Sequence, residues 1–149
     1  MKFEKILYPT DFSEKTKSAR NTAADLAGSM DSKIFILHAI EPLRYEEFDD
    51  EIEAFYKDLQ MKLKEKMNEE TEFFDSMGLR THSSFIIGPR WKVINTYAKE
   101  MDVGLIVMGS HGLKDNAGKM LVGTTSHKVI FTSPCPVLVV RNDYEFMDY

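Results

Sequence analysis

What most constrains this chain is the alternation of short, unbroken apolar runs with longer stretches of helical period. Four runs stand out. They are residues 6–8 within 3–9, ending at Pro9; residues 34–40 (Ile-Phe-Ile-Leu-His-Ala-Ile); residues 105–108 (Leu-Ile-Val-Met), stopped by Gly109; and residues 137–140 (Val-Leu-Val-Val), fenced by Pro134 and Pro136. A fifth, residues 79–87, is weaker, because only Phe85, Ile86 and Ile87 form a clear apolar run. Continuous apolarity, rather than every-other-residue alternation, is the pattern of strands covered on both faces. The gaps carry apolar residues three and four apart. Between residues 14 and 28, Ala19, Ala23, Leu26 and Ala27 fall on one helical face, with Gly28 as the expected stop. From residue 51 to 77 a stripe of Ile52, Phe55, Tyr56, Leu59, Leu63, Met67, Phe74 and Met77 leaves Lys57, Lys62, Glu65 and Lys66 outside it, and Gly78 follows. Val93, Ile94, Tyr97, Ala98 and Met101 repeat the pattern over 91–101, and a last helix is expected over 124–133 with Val129 and Ile130 inward.

The order is therefore β-α-β-α-β-α-β-α-β. Strict alternation predicts an α/β fold, a parallel sheet with helices on both faces. Right-handed crossovers leave a doubly wound sheet as the main option. The 149 residues fit a single domain, since domains run to roughly 150 residues. In such a sheet the ligand crevice lies at the C-terminal ends of the strands, at the point where the strand order reverses. The acidic stretch 46–53, after Pro42, is expected to be an exposed loop leading into the long helix, and the tail after Arg141 is polar and aromatic.

Charge and cysteine content narrow the function. Nineteen Lys and Arg against 24 Asp and Glu leave a net charge of −5, which argues against non-specific nucleic-acid binding, where basic groups must replace phosphate counterions. Cys135 is the only cysteine, so no intrachain disulfide forms. The start, Met-Lys-Phe-Glu-Lys, has no apolar stretch of signal-peptide length, and every apolar run falls well short of the roughly 20 residues that span a bilayer. A cytoplasmic location without a membrane partner is the expectation.

The segment after residues 105–108 carries the chemistry: Gly109-Ser-His-Gly-Leu-Lys-Asp-Asn-Ala-Gly-Lys-Met-Leu-Val-Gly-Thr-Thr-Ser126. It leaves a buried strand, passes through glycines that let backbone N–H groups approach an anion, and enters a helix whose first turn offers unpaired donors and a partial positive charge. Thr124, Thr125 and Ser126 add hydroxyls, and His111 sits within reach of an anion or of solvent. A phosphate cradle and a plain loop with a Ser/Thr cap both fit. The spacing is neither that of a Walker A loop nor that of a Gly-x-Gly-x-x-Gly dinucleotide turn, since the first strand leads into Pro9-Thr10-Asp11-Phe12-Ser13.

Several strings, in this order, resemble the universal stress protein family over nearly the whole chain. They are Ile6-Leu-Tyr-Pro-Thr-Asp-Phe-Ser13, Leu37-His-Ala-Ile40, Gly88-Pro89, Leu105-Ile-Val-Met-Gly-Ser-His-Gly112, Gly123-Thr124 and Ser133-Pro-Cys-Pro-Val-Leu-Val-Val-Arg141. The resemblance implies a five-stranded sheet in the order 3-2-1-4-5 and a homodimer paired through the last, C-terminal edge strand. An apolar edge strand is a liability when left unpaired. One branch of the family binds ATP through Gly-x2-Gly-x9-Gly-Ser/Thr. Gly109-x2-Gly112 and Gly123-Thr124 match it, but ten residues separate Gly112 from Gly123, and Gly104 stands where the family usually has aspartate.

By position, the resemblance places Pro9, Thr10 and Asp11 beside an adenine and its ribose. It sets the backbone of Ala39 at the adenine edge, Met108 against the base or ribose, and Gly109, Gly112, Gly123, Thr124 and Thr125 on the phosphates. The ligand would be ATP or AMP, with Mg2+ bridging phosphates rather than sitting in a protein cage. Plainer readings stand beside these. Asp11 caps the first helix with Glu14 three residues on, Met108 is core, His38 is a hydrogen-bonded core histidine, and Cys135 is a buried, inert thiol. The histidines His38, His82, His111 and His127 show no zinc spacing.

Three functions follow. The first is a nucleotide-binding regulatory or stress-response protein. The second is a slow ATPase drawing on Lys114, Asp115 and Lys119 without a catalytic signature. The third is a nucleotide-free dimeric interaction module. A phospho-acceptor receiver domain is rejected, because it needs an aspartate after the third strand and a lysine after the fifth, where Ile87-Gly88 and Arg141-Asn142 stand.

Overall fold

The fold is taken from a computed structural model, which describes residues 3–42, 49–110, 113–114, 120–121 and 124–141. The main elements are β1 (Lys5–Pro9), α1 (Lys17–Met30), β2 (Lys33–Ile40), α2 (Asp50–Asp75), β3 (Thr81–Ile87), α3 (Arg90–Glu100) and β4 (Leu105–Gly109). They are followed by β5 (Leu113–Lys114), β6 (Met120–Leu121), α4 (Thr124–Thr132) and β7 (Val137–Val140), and a 3-10 turn (Glu14–Thr16) precedes α1. Five strands form one parallel sheet in the order β3-β2-β1-β4-β7. This is the expected 3-2-1-4-5 arrangement, β7 being its fifth strand. The chain winds outward from β1 to β3, then restarts on the other side at β4, so the order reverses between β1 and β4.

Each face of the sheet has its own core. Ile6 and Tyr8 of β1, Ile34 and Ile36 of β2, and Leu105 and Val107 of β4 point to one side. There they meet Ala19, Ala23, Ala24 and Ala27 of α1 and Met67 and Phe74 of α2. Leu7, Phe35, Leu37, Ala39, Ile106 and Met108 point to the other, against Val93, Ile94, Tyr97 and Ala98 of α3 and Val129 of α4. Each fully buried Ile, Leu or Val stabilises the fold by roughly 1.5–3 kcal/mol relative to exposure. The alanines on α1 add little area each, but their small size lets the helix sit close on the strands.

Boundaries and depths depart from the sequence reading at three helices. α1 does not stop at Gly28. It runs to Met30 and ends on Asp31 in the left-handed region, φ 53°, whose short polar side chain tolerates that conformation. α2 starts at Asp50 and ends at Asp75, so part of the acidic stretch lies in its first turn, not in a loop; residues 46–48 lie outside the described ones. Asp49 caps the helix by accepting from the Ile52 N–H at 2.9 Å, and Asp50, Glu51 and Glu53 complement the positive end of the helix dipole. The long stripe is shallower than its period suggests. Tyr56, Met67 and Phe74 are buried, whereas Phe55 and Met77 are exposed, because a 26-residue helix overhangs the two strands it packs on. In α4, Val129 faces inward as expected, but Ile130 is exposed, lying about 100° round the helix from it.

Gly88 links β3 to α3. Its φ is +157°, and a Cβ there would stand 2.8 Å from Val93 Cγ2, so a side chain is excluded where the chain turns into α3.

Candidate functional site

The C-terminal ends of β1, β2 and β4 and the first turns of α3 and α4 surround a cleft enclosing about 450 Å³ of space open to solvent. Pro9, Thr10, Asp11, Ala39, Met108, Gly109 and Thr125 line it. All seven are residues the sequence singled out, drawn from four separate segments to the point where the strand order reverses. Thr124 is exposed and Ser126 buried, and neither lines the cleft. His111, Gly112 and Gly123 lie outside the described residues, as do Asp115 and Lys119.

The β1–α1 turn forms one wall and is heavily braced. The Thr10 N–H donates to the Leu37 carbonyl at 2.9 Å, continuing the ladder past the end of β1. Thr10 Oγ1 accepts from the Phe12 N–H at 2.9 Å and shares a hydrogen bond with Thr16 Oγ1 at 3.2 Å. Tyr8 Oη donates to the Thr16 carbonyl at 3.3 Å, and its phenol is pushed up to about 12, chiefly by burial and then by the Glu70 carboxylate. Asp11 Oδ1 accepts from the Ser13 N–H at 2.8 Å, closing a local turn ahead of the 3-10 residues instead of capping α1 itself. Phe12 carries φ 65°, a left-handed conformation that costs a bulky residue roughly 1–2 kcal/mol. Its ring stacks on His38 with centroids 4.4 Å apart.

His38 is a hydrogen-bonded core histidine, 8% exposed. Its Nδ1 lies 2.7 Å from the Thr10 carbonyl oxygen. Burial holds the imidazole below its ordinary range, against the opposing pull of the Thr10 carbonyl.

The opposite wall belongs to β4 and α4. Ser126 does not offer its hydroxyl to the cleft. It donates to the Gly109 carbonyl at 2.9 Å, pinning the first turn of α4 to the end of β4. That bond aims the helix N-terminus, with its unpaired N–H donors and partial positive charge, at the cleft. Met108 is both core and lining, so its place in the core does not take it out of the cleft.

Three lining residues were not singled out from the sequence: Leu37, Ile94 and Arg90. Leu37 sits in the strongest strand and Ile94 on the α3 stripe, and nothing in their apolar context marks a cleft. Arg90 is the first residue of α3. Its backbone N–H donates to Glu41 Oε1 at 3.3 Å, and its Nε lies 3.6 Å from the same oxygen. Gly88-Pro89 ends β3 and so bears on where α3 begins, but it marks no side chain for the cleft.

The resulting chemistry is asymmetric. Leu37, Ala39, Ile94 and Met108 form an apolar slot for a flat, weakly polar group. Thr10 and Asp11 form the polar wall beside it, and Gly109 with the α4 N-terminus suits an anion. Away from the cleft, Cys135 is half-buried beside Ser133, and burial pushes its thiol up. Among the described residues no helix is long and apolar enough to cross a membrane.

Comparison with known proteins gives the same fold. Residues 2–141 match the family model of the universal stress protein family. The chain is 32% identical over 152 residues to universal stress protein YxiE of Bacillus subtilis, covering 93% of this chain and 99% of that one. It is 30% identical over 155 residues to universal stress protein MJ0577 of Methanocaldococcus jannaschii, covering 93% and 95%. The solved structure of MJ0577 superposes with a TM-score of 0.85 at 28% identity, over 96% of this chain and 99% of that one. Two more distant structures share the fold. One is a universal stress protein in complex with cAMP, with TM-score 0.73, 21% identity, and 95% and 98% of the chains covered. The other is the Archaeoglobus fulgidus universal stress protein in complex with dAMP, with TM-score 0.67, 18% identity, and 93% and 98% covered. The match runs through every strand of the sheet, including the three whose ends build the cleft, and the chain belongs to the universal stress protein family.

Proposed function

We propose that this protein is a cytoplasmic, dimeric regulator of the stress response that binds an adenine nucleotide in the cleft at the ends of β1 and β4. The observation that carries the reading is the convergence of an apolar slot, a carboxylate and a helix N-terminus around one space. The adenine takes the slot, with the Ala39 backbone at its edge and Met108 on its face. Pro9, Thr10 and Asp11 flank the adenine and its ribose. The phosphates lie towards Gly109, Thr124 and Thr125, and His111, Gly112 and Gly123 complete the cradle. The ligand is ATP or AMP. Mg2+ with ATP is held by the phosphates and their waters, not by a protein cage. The structural relatives solved with cAMP and dAMP support an adenine nucleotide as the ligand class. For the nucleotide to act as a switch it must bind one conformation better than another. The sequence carries no catalytic signature for phosphoryl transfer, so any ATP turnover is expected to stay below about 1 per second, the low end of the usual enzyme range.

The test is to denature purified protein, identify released nucleotide by mass spectrometry, and titrate the stripped protein with Mg·ATP and with AMP by calorimetry. Stoichiometric nucleotide, or a Kd below about 100 μM (about −5.5 kcal/mol), is the expected result, and Gly109→Val should abolish it. No nucleotide and no binding would leave a nucleotide-free interaction module of the same fold.

A further inference from the structure

We propose that His38 is a positioning residue for the cleft, fixing from the opposite face of the sheet the turn at residues 10–12 and so setting nucleotide affinity without touching the nucleotide. The affinity half of this proposal rests on the nucleotide reading above; the structural half does not.

The geometry begins with strand alternation. Leu37 and Ala39 line the cleft, so His38 between them points to the other side of β2. There the chain has turned over the end of β1, and His38 meets it from beneath at two points. Its Nδ1 lies 2.7 Å from the Thr10 carbonyl oxygen. A carbonyl only accepts, so Nδ1 carries the proton and the neutral tautomer is fixed. Its ring lies flat on Phe12, centroids 4.4 Å apart at 29°. Phe85, its register partner on β3, closes the far side edge-on at 5.9 Å. Asp11, a lining residue, is the one between the two held points.

That arrangement explains how Phe12 stays at φ 65°. A left-handed bulky residue persists only where its surroundings over-determine it. The two hydrogen bonds inside the turn, Phe12 N–H to Thr10 Oγ1 and Ser13 N–H to Asp11 Oδ1, are local and move with it. Thr16 braces the turn from the α1 side, and His38 braces it from β2. The charged groups around His38 are Asp11, which favours the imidazolium, and Arg90 and Lys66, which oppose it. Protonation at Nε2 would put a charge into a buried, aromatic surround, which burial opposes, while the Nδ1–H bond to the Thr10 carbonyl favours it.

The test uses two variants of the full chain. His38→Phe keeps a flat ring and loses the donor; His38→Asn keeps an N–H near the Nδ1 position and loses the stack. In ligand-free protein, hydrogen exchange of the Phe12 and Ser13 amides is followed by NMR, and AMP affinity is measured by calorimetry at about pH 7.5 and about pH 5.5, either side of the ordinary imidazole range. The expected result for His38→Phe is local exchange faster by about tenfold than the change seen at β1 and β4 amides, and affinity lower by about tenfold (about 1.4 kcal/mol). His38→Asn recovers part of that affinity, and the part of the wild-type pH dependence that belongs to His38 is absent from both variants, which leaves the titration of the AMP phosphate at about pH 6. A merely structural role would move the melting temperature without these local and pH-dependent signatures. Local exchange and affinity within about twofold of wild type in folded His38→Phe, a change too small to signify a lost hydrogen bond, overturn the proposal. Should His38→Phe not fold, the wild-type amide shifts of residues 10–13 decide it. They follow the His38 titration if His38 holds the turn, and their indifference overturns it. If wild type binds no adenine nucleotide, the nucleotide reading falls with the affinity half, and the exchange result alone decides whether His38 holds the turn.

Discussion

At the scale of single residues, His38 also links folding to pH. Its native pKa lies below the ordinary 6.5, so the folded chain binds fewer protons than the unfolded one across that window. Its contribution is therefore full above pH 6.5 and declines as the pH falls towards the native value. Glu70 acts in the opposite sense. Burial raises its carboxyl above the ordinary 4.5 despite Arg20, so its share of stability is greatest in acid and is lost as the pH rises through the native value. Urea unfolding of wild type and His38→Asn as a function of pH isolates the histidine: the wild type should lose stability below pH 6.5 relative to the variant. A parallel pair of curves would contradict this assignment. Other residues show how much of the site was legible. The role of His38 as a satisfied core histidine was readable, because a lone imidazole in an apolar strand needs a partner. The use of the Ser126 hydroxyl was not, because a hydroxyl in a Ser/Thr-rich first turn reads as a free donor until the Gly109 carbonyl is found 2.9 Å away. Arg90 was missed for the same kind of reason: its place on the cleft depends on where α3 begins in space, not on its neighbours in sequence.

At the scale of elements, helix period was legible and helix depth was not. The α1 and α3 stripes are buried as read, while α2 buries only part of its stripe. What supplements that thin apolar contact is an ion pair between helices. Arg20 of α1 lies 3.2 Å from Glu70 of α2, and its guanidinium stands 3.9 Å from the Phe73 ring centroid. Glu70 is 6% exposed, so the pair is well removed from water. Breaking one half of a buried pair is costlier than replacing both. Arg20→Met should destabilise by about 3–5 kcal/mol, and the double variant Arg20→Met/Glu70→Leu should recover most of that loss. Thermal unfolding of the three proteins is the check; equal losses in the single and double variants would show that the pair is not what docks α2. The short β5–β6 ladder had no sequence signal, since two-residue strands in a glycine-bearing loop carry no period to read.

At the scale of the whole molecule, the doubly wound sheet and the position of its cleft follow from alternation and handedness, while the 3-2-1-4-5 order was legible only through the family resemblance. Assembly is the remaining property at this scale. β7 is an outer strand of the sheet, and Leu138 on it is exposed, as are Ile130 and Phe131 on the neighbouring α4. Pairing of β7 with the β7 of a second copy would cover that edge. Leu138→Lys, which places a charge on the edge, should shift the protein to monomer in light scattering coupled to size exclusion; an unchanged mass would move the interface elsewhere. The β5–β6 ladder bears on how the chain tolerates changes in length. Its rungs join Leu113 to Leu121 and Lys114 to Met120. The chain that leaves along β5 thus returns along β6, and a residue added between the rungs changes the length of that excursion, not the pairing that closes it. Counting residues from glycine to glycine is a poor ruler of kinship for such loops, and an alignment gap is better placed by rung than by tally.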